Sequence, residues 1–111
     1  MNDPPYGTER NYNGLRLARE LLEDPAQDNE VRMFLVGDAA ACAKAGQKVP
    51  KGYYDVESFL KMIARSGEIS VCGTCMDARG MQDADPVDGT RHGTLALMTE
   101  WTVWADKVLT F

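Results

Sequence analysis

Basic residues are scarce in this 111-residue sequence: 12 Lys and Arg stand against 17 Asp and Glu, for a net charge of -5. They form no run or cluster. Binding to a phosphate backbone depends on cationic side chains displacing counterions, so nucleic acid is excluded as a partner, and an anionic membrane surface with it. Long apolar runs are also absent, and none approaches the roughly 20 residues needed to cross a bilayer. The opening Met1-Asn2-Asp3-Pro4-Pro5-Tyr6-Gly7 lacks the basic-then-apolar pattern of a secretory leader. The expectation is a soluble, cytoplasmic protein. Cysteine is sparse as well: Cys42, Cys72 and Cys75 are too few, and odd in number, for a secreted disulfide framework. There is one histidine, His92, and no second CxxC or HxxxH pair. A closed zinc site needs about four ligands, so metal binding is the weaker reading of the cysteines.

What the sequence does contain is a regular alternation of elements, with 44% hydrophobic residues and a length suited to a single domain over residues 1–111. Leu15, Ala18, Leu21 and Leu22 recur at helical spacing between about Thr8 and Glu23, and Asp24-Pro25 stops the run. Glu30 to Val36 is a short apolar run that reads as a buried strand. An Ala-rich segment, Ala39 to Ala45, predicts a short helix ended by Gly46, and Gln47 to Tyr54 a loop. Asp55 is placed to cap a helix through about Arg65, with Val56, Phe59, Leu60 and Ile63 on one face. Glu68 to Val71 predicts a second strand. Met76 to Arg79 reads as a helical turn cut short by Gly80, and Gln82 to Gly93 as a polar loop whose acidic residues are surface or capping groups. A helix over Thr94 to Ala105 and a terminal strand over Val108 to Phe111 complete the pattern. Connections too long for hairpins predict an α/β fold, a parallel sheet with helices on both faces.

A doubly wound domain of this kind begins with a strand, and Met1 to Asp3 is too short to be one. The expectation is that a first strand of about five or six residues lies upstream, and that Pro4-Pro5-Tyr6-Gly7 is the turn that ends it.

The chemistry gathers at Cys72-Gly73-Thr74-Cys75. Reactive groups of open α/β sheets collect beyond the carboxyl ends of the strands, and Cys72 stands at such an end, with a helix N-terminus expected within a residue or two. Unpaired backbone N–H groups there favour a thiolate. Arg79 adds positive charge if the turn is helical, and Asp77 opposes it. Gly73 and Thr74 complete the loop as candidate thiol-tuning residues. A second thiol three residues on is placed to resolve a mixed disulfide or a persulfide on the first. The alternative is that a cysteine ending an apolar strand is simply packed. Tyr6, at the same expected sheet edge, is a candidate site-lining or turn-packing residue. His92 is either a proton-transfer group near the thiols or a solvent-exposed loop residue. Cys42, among alanines, reads as a small buried hydrophobe. A nucleotide-binding reading fails on Pro4-Pro5-Tyr6-Gly7, which lacks a glycine-rich phosphate loop.

Three blocks, Asn2-Asp3-Pro4-Pro5-Tyr6-Gly7, Val71-Cys72-Gly73-Thr74-Cys75-Met76-Asp77-Ala78-Arg79-Gly80 and Ala105-Asp106-Lys107-Val108-Leu109-Thr110-Phe111, together resemble the DsrE/DsrF-like (YchN-like, TusD-related) family. The resemblance runs from end to end, apart from that family's first strand, and implies flavodoxin-like layering. In sulfur-relay members the persulfide-carrying cysteine lies eight residues before the Gly of an Arg-Gly pair, the spacing of Cys72 to Gly80. The resemblance thus implies a sulfur carrier, or sulfurtransferase-like protein, that accepts sulfane sulfur on Cys72 and passes it to a thiol-bearing partner protein. It also implies a homo-oligomer, a trimer or hexamer, with Trp101 and Trp104 suited to its interface or to the core. Persulfide chemistry needs thiols alone, so no cofactor is expected. The competing reading is a non-catalytic oligomeric binding or scaffold module whose CxxC is structural or holds a metal.

Overall fold

The structure, a computed structural model, describes residues 1–111 except Gly52 and residues 83–85. Its elements are α1 (Arg10–Glu23), β1 (Arg32–Leu35), a 3₁₀ segment (Gly37–Ala43), α2 (Val56–Ile63), β2 (Glu68–Cys72), the short α3 (Gly73–Asp77), β3 (Thr90–Gly93) and α4 (Leu95–Trp104). The three strands pair in parallel in the order β1-β2-β3, with Leu35 opposite Val71 and Cys72 opposite Gly93.

Side chains alternate across the sheet. Met33 and Leu35 of β1 and Ile69 and Val71 of β2 join the buried core with Leu15 and Ala18 of α1 and Val56, Leu60 and Ile63 of α2. Each fully buried Leu or Ile contributes about 1.5–3 kcal/mol. The residues between them face the other way: the Phe34 ring meets Trp101 of α4 edge-on, with centroids 6.0 Å apart, and Ser70 is buried. Helices therefore cover both faces of the sheet, as the alternation predicts. The Asp55 carboxylate accepts from the Ser58 N–H at 3.3 Å and starts α2, and the Thr94 hydroxyl accepts from the Leu97 N–H at 3.2 Å and starts α4.

Three local expectations need correction. Val108 to Phe111 is not a strand; the third strand of the described sheet is Thr90–Gly93, placed by sequence in a loop because Thr-Arg-His-Gly carries no apolar alternation. It is an outer strand, and only Gly93 among its residues is buried. The Ala-rich segment is 3₁₀ and starts at Gly37, two residues early, because the chain turns as soon as β1 ends. α3 begins at Gly73 rather than Met76, because Cys72 itself caps it. The acidic positions Asp83 and Asp85 lie outside the described residues, as does Gly52 of the expected loop.

Met1 and Asn2 run alongside β1. The Met1 ammonium donates to Phe34 O at 2.9 Å and Val36 N–H to Met1 O at 3.1 Å, while Asn2 N–H donates to Phe111 O at 2.6 Å. The first pair of bonds is a parallel ladder step on the side of β1 away from β2. Buried Asn11 fixes the following turn, its amide donating to Pro4 O at 3.1 Å and also to Asp3 O.

Candidate functional site

Cys72 ends β2 and is the N-cap of α3. Its Sγ accepts from the Cys75 N–H at 3.3 Å and hydrogen-bonds with the Thr74 hydroxyl at 3.3 Å. Partial burial by itself pushes the Cys72 thiol up. Hydrogen bonds from the Cys75 thiol, the Thr74 hydroxyl and the two backbone amides outweigh that and hold it below the ordinary thiol range. Donors converging on one sulfur stabilise a thiolate, the form that acts as a nucleophile.

Cys75 is held differently. Its Sγ accepts from Gly37 N–H at 3.2 Å, at the turn where β1 passes into the 3₁₀ segment. Burial, followed by its bond to Cys72, pushes the Cys75 thiol up, and the Gly37 amide and the Arg79 charge only partly counter this. The loop thus pairs one thiol disposed to ionise with one disposed to keep its proton. Arg79 does not reach either sulfur with a hydrogen bond: it donates to Cys75 O at 2.9 Å and pairs with Asp38 at 2.6 Å. That ion pair ties the end of α3 to the segment following β1.

Four of the residues singled out in the sequence, Cys72, Thr74, Cys75 and Arg79, are therefore brought together, with Gly73 as the first residue of α3. Tyr6 and His92 are not part of that cluster. The Tyr6 hydroxyl accepts from Val56 N–H at 3.4 Å and its ring lies 5.6 Å from that of Tyr54, against the start of α2. His92 is exposed and opposite Val71 in the ladder, one step out of phase with Cys72, so the pleat turns it to the other side of the sheet. Cys42 is fully buried; burial pushes its thiol up to about 11 despite a hydrogen bond from Asn11. Among the described residues, no group of three or more His, Cys, Asp or Glu is placed to hold a metal ion, and no helix is long and apolar enough to cross a membrane.

Sequence reasoning missed Gly37 and read Asp38 only as a solvated surface or capping residue, whereas it pairs with Arg79. The signal was available: a Gly-Asp pair directly after a strand lies, in a parallel sheet, on the same edge as Cys72. What the sequence did not carry was that β1 and β2 are neighbours.

The DsrE/DsrF-like family model matches residues 1–111. Protein YchN of Escherichia coli (strain K12) is 40% identical over 111 residues, which cover 99% of this chain and 93% of that one. An uncharacterized protein of Methanopyrus kandleri, MK0008, is 31% identical over 111 residues, covering 100% of this chain and 89% of its own. The crystal structure of the ychN protein from E. coli superposes with a TM-score of 0.91 at 39% identity, covering 100% of this chain and 94% of that one. With its whole length matched by the family model and its fold shared with that solved relative, this chain belongs to the DsrE/DsrF-like family.

Proposed function

We propose that this protein is a cytoplasmic sulfur carrier, accepting sulfane sulfur as a persulfide on Cys72 and passing it to the thiol of a partner protein. The observation that carries this reading is the set of donors converging on Cys72 Sγ, from Cys75 N–H and the Thr74 hydroxyl. A carrier cysteine must be ionised to attack a sulfur donor and accessible enough for a second protein to reach it. Cys72 is only partly buried, whereas Cys42 is sealed in the core. Membership of a family generally linked to sulfur relay agrees with this chemistry.

The reading includes self-association. α4, Leu-Ala-Leu-Met-Thr-Glu-Trp-Thr-Val-Trp, is apolar on more than one side. It leaves Leu95 74% and Val103 82% exposed, and Val108 and Leu109 beyond it are 61% and 58% exposed. These exposed apolar side chains support the reading of an interaction surface, and a trimer or hexamer of this chain would cover them.

The test is to incubate reduced protein with glutathione persulfide, trap with an alkylating reagent and locate added sulfur by peptide mass spectrometry. Sulfur is expected on the peptide containing Cys72 and lost in Cys72→Ser. Folded protein whose Cys72 takes up no sulfur would leave the binding or scaffold role as the better account.

A further inference from the structure

The Cys72 persulfide has a second acceptor inside the same chain. Resting on the carrier reading above, the geometry points to Cys75 as an internal resolving thiol: it discharges the persulfide as hydrosulfide when no partner thiol takes it, and leaves a Cys72–Cys75 disulfide that a dithiol reductant must reopen.

The first support is position. Cys72 is the N-cap of α3 and Cys75 stands three residues on, at N3. These two positions are the ones whose side chains and amides meet reciprocally at a helix start. Here the Cys75 N–H donates to Cys72 Sγ at 3.3 Å, so the Cys72 sulfur lies against the residue that carries the second thiol.

Gly37 supplies the second. Its N–H donates to Cys75 Sγ at 3.2 Å from a different strand end, a donor that a merely packed cysteine does not need and that stabilises negative charge on that sulfur when it forms. The third is electrostatic. While Cys72 is a thiolate, its charge helps to hold the proton on Cys75. Sulfuration moves that charge from Cys72 Sγ out to the terminal sulfur. The restraint on Cys75 is relieved at the moment a target appears, so ionisation of the resolving thiol follows loading rather than preceding it.

The step balances without an external oxidant. Cys75 Sγ attacks Cys72 Sγ, a bond forms between the two Sγ atoms, and the bond between the persulfide sulfurs breaks. The outer sulfur departs with that bonding pair and the proton that Cys75 gives up, as HS⁻. The sulfane sulfur is reduced to sulfide, and the two cysteine thiols are oxidised to one disulfide. Resetting the site takes two electrons from a partner dithiol of the CxxC oxidoreductase class, which becomes a disulfide in turn. The same pair therefore decides between two outcomes: transfer of sulfur to a waiting thiol, or release of sulfide and closure of the site.

The experiment loads wild type, Cys75→Ser and Cys75→Ala with glutathione persulfide, removes excess donor, and follows persulfide, free sulfide and intact mass, with circular dichroism confirming the fold. Wild type is expected to release one sulfide per persulfide lost and to lose two hydrogens relative to the reduced chain, with the Cys72–Cys75 linkage found by non-reducing peptide mapping. Both Cys75 variants are expected to keep their persulfide longer by about tenfold or more, the loss of an intramolecular attack. Uptake on Cys72 with equal persulfide lifetimes in all three proteins would overturn the resolving role and leave the carrier standing. Failure of Cys72 to take up sulfur in wild type and in both folded Cys75 variants would overturn the carrier and the resolving role together.

Discussion

The amide of Gly37 and the sulfur of Cys75 are 3.2 Å apart, so the end of β1 holds a thiol that belongs to the helix following β2. Cys72, by contrast, takes its donors from its own loop. Neighbouring strand ends thus divide the work at this site. One provides the residue that ionises, and the other steadies its companion.

That division predicts an order of reactivity. At pH 7 Cys72 is expected to be alkylated by iodoacetamide before Cys75, and Cys42 last, as read by peptide mass spectrometry over a time course. Replacing Thr74 by Val keeps the shape and removes a donor. It is expected to raise the midpoint of the Cys72 rate-against-pH curve and to slow alkylation below that midpoint by about three- to tenfold, the scale of one hydrogen bond to a charged sulfur. Thr74→Ser should retain the wild-type curve. Identical curves for Thr74→Val and wild type would remove the hydroxyl from the site.

Arg79 makes a different prediction. Its ion pair with Asp38 is short, 2.6 Å, but the two side chains are 31% and 66% exposed, and surface pairs of this kind contribute about 0–1 kcal/mol. Arg79→Gln is therefore expected to change the midpoint of urea unfolding only slightly. It should nevertheless slow the reaction of Cys75 with a small thiol reagent near neutral pH, because the Arg79 charge favours ionisation there. A large loss of stability together with unchanged Cys75 reactivity would make Arg79 a structural residue only.

Much of this was readable in the sequence, and the reasons are local. Helices α1 and α2 announce themselves through periodic apolar residues, with Asp55 marking one start and Pro25 following one end, while α4 shows as a segment that is apolar on more than one side. The CxxC stands out in the sequence because its spacing and its place after an apolar strand are both sequence properties. β3 was not legible, since an exposed outer strand of Thr, Arg, His and Gly carries no pattern and is held by its ladder to β2. The partnership of Gly37 with Cys75, and of Asp38 with Arg79, depends on which strands are adjacent; that follows from tertiary packing and not from any window of sequence.

Cys42 predicts the alkaline limb of the stability curve. Its thiol is buried and its folded-state value is about 11 against an ordinary 9.0. The folded state thus favours the protonated thiol, a contribution fully present below pH 9.0 and lost as pH rises to about 11. The amount at stake is about 2–3 kcal/mol. Met1 works in the other direction and earlier: burial pushes its ammonium below 8.0, so that its penalty is relieved by the time the pH reaches 8.0. Urea unfolding of wild type should therefore show stability falling between pH 9 and 11, and Cys42→Ala, though less stable at neutral pH, should show a shallower fall. Parallel curves would mean that the alkaline loss lies elsewhere.

Gly14 and Phe111 supply the most demanding test of the packing. A methyl group on Gly14 would stand 2.8 Å from Cγ and 2.9 Å from Cδ2 of the Phe111 ring, close to the root of that side chain, where a rotamer change gives little relief. Helix propensity alone argues that Gly14→Ala should stabilise α1 by about 1 kcal/mol. Overpacking argues for a cost of about 1–3 kcal/mol, and at this distance the clash is expected to win, giving a net loss of stability. Removing the ring reverses the balance: in a Phe111→Ala background the same Gly14→Ala change should become stabilising. The sign change in a double-mutant cycle, measured by urea unfolding, is the signature of direct contact between the helix and the C-terminal residue. The same sign in both backgrounds would mean that Phe111 does not rest on α1 in solution, and that the bond from Asn2 N–H to Phe111 O is not enough to hold it there.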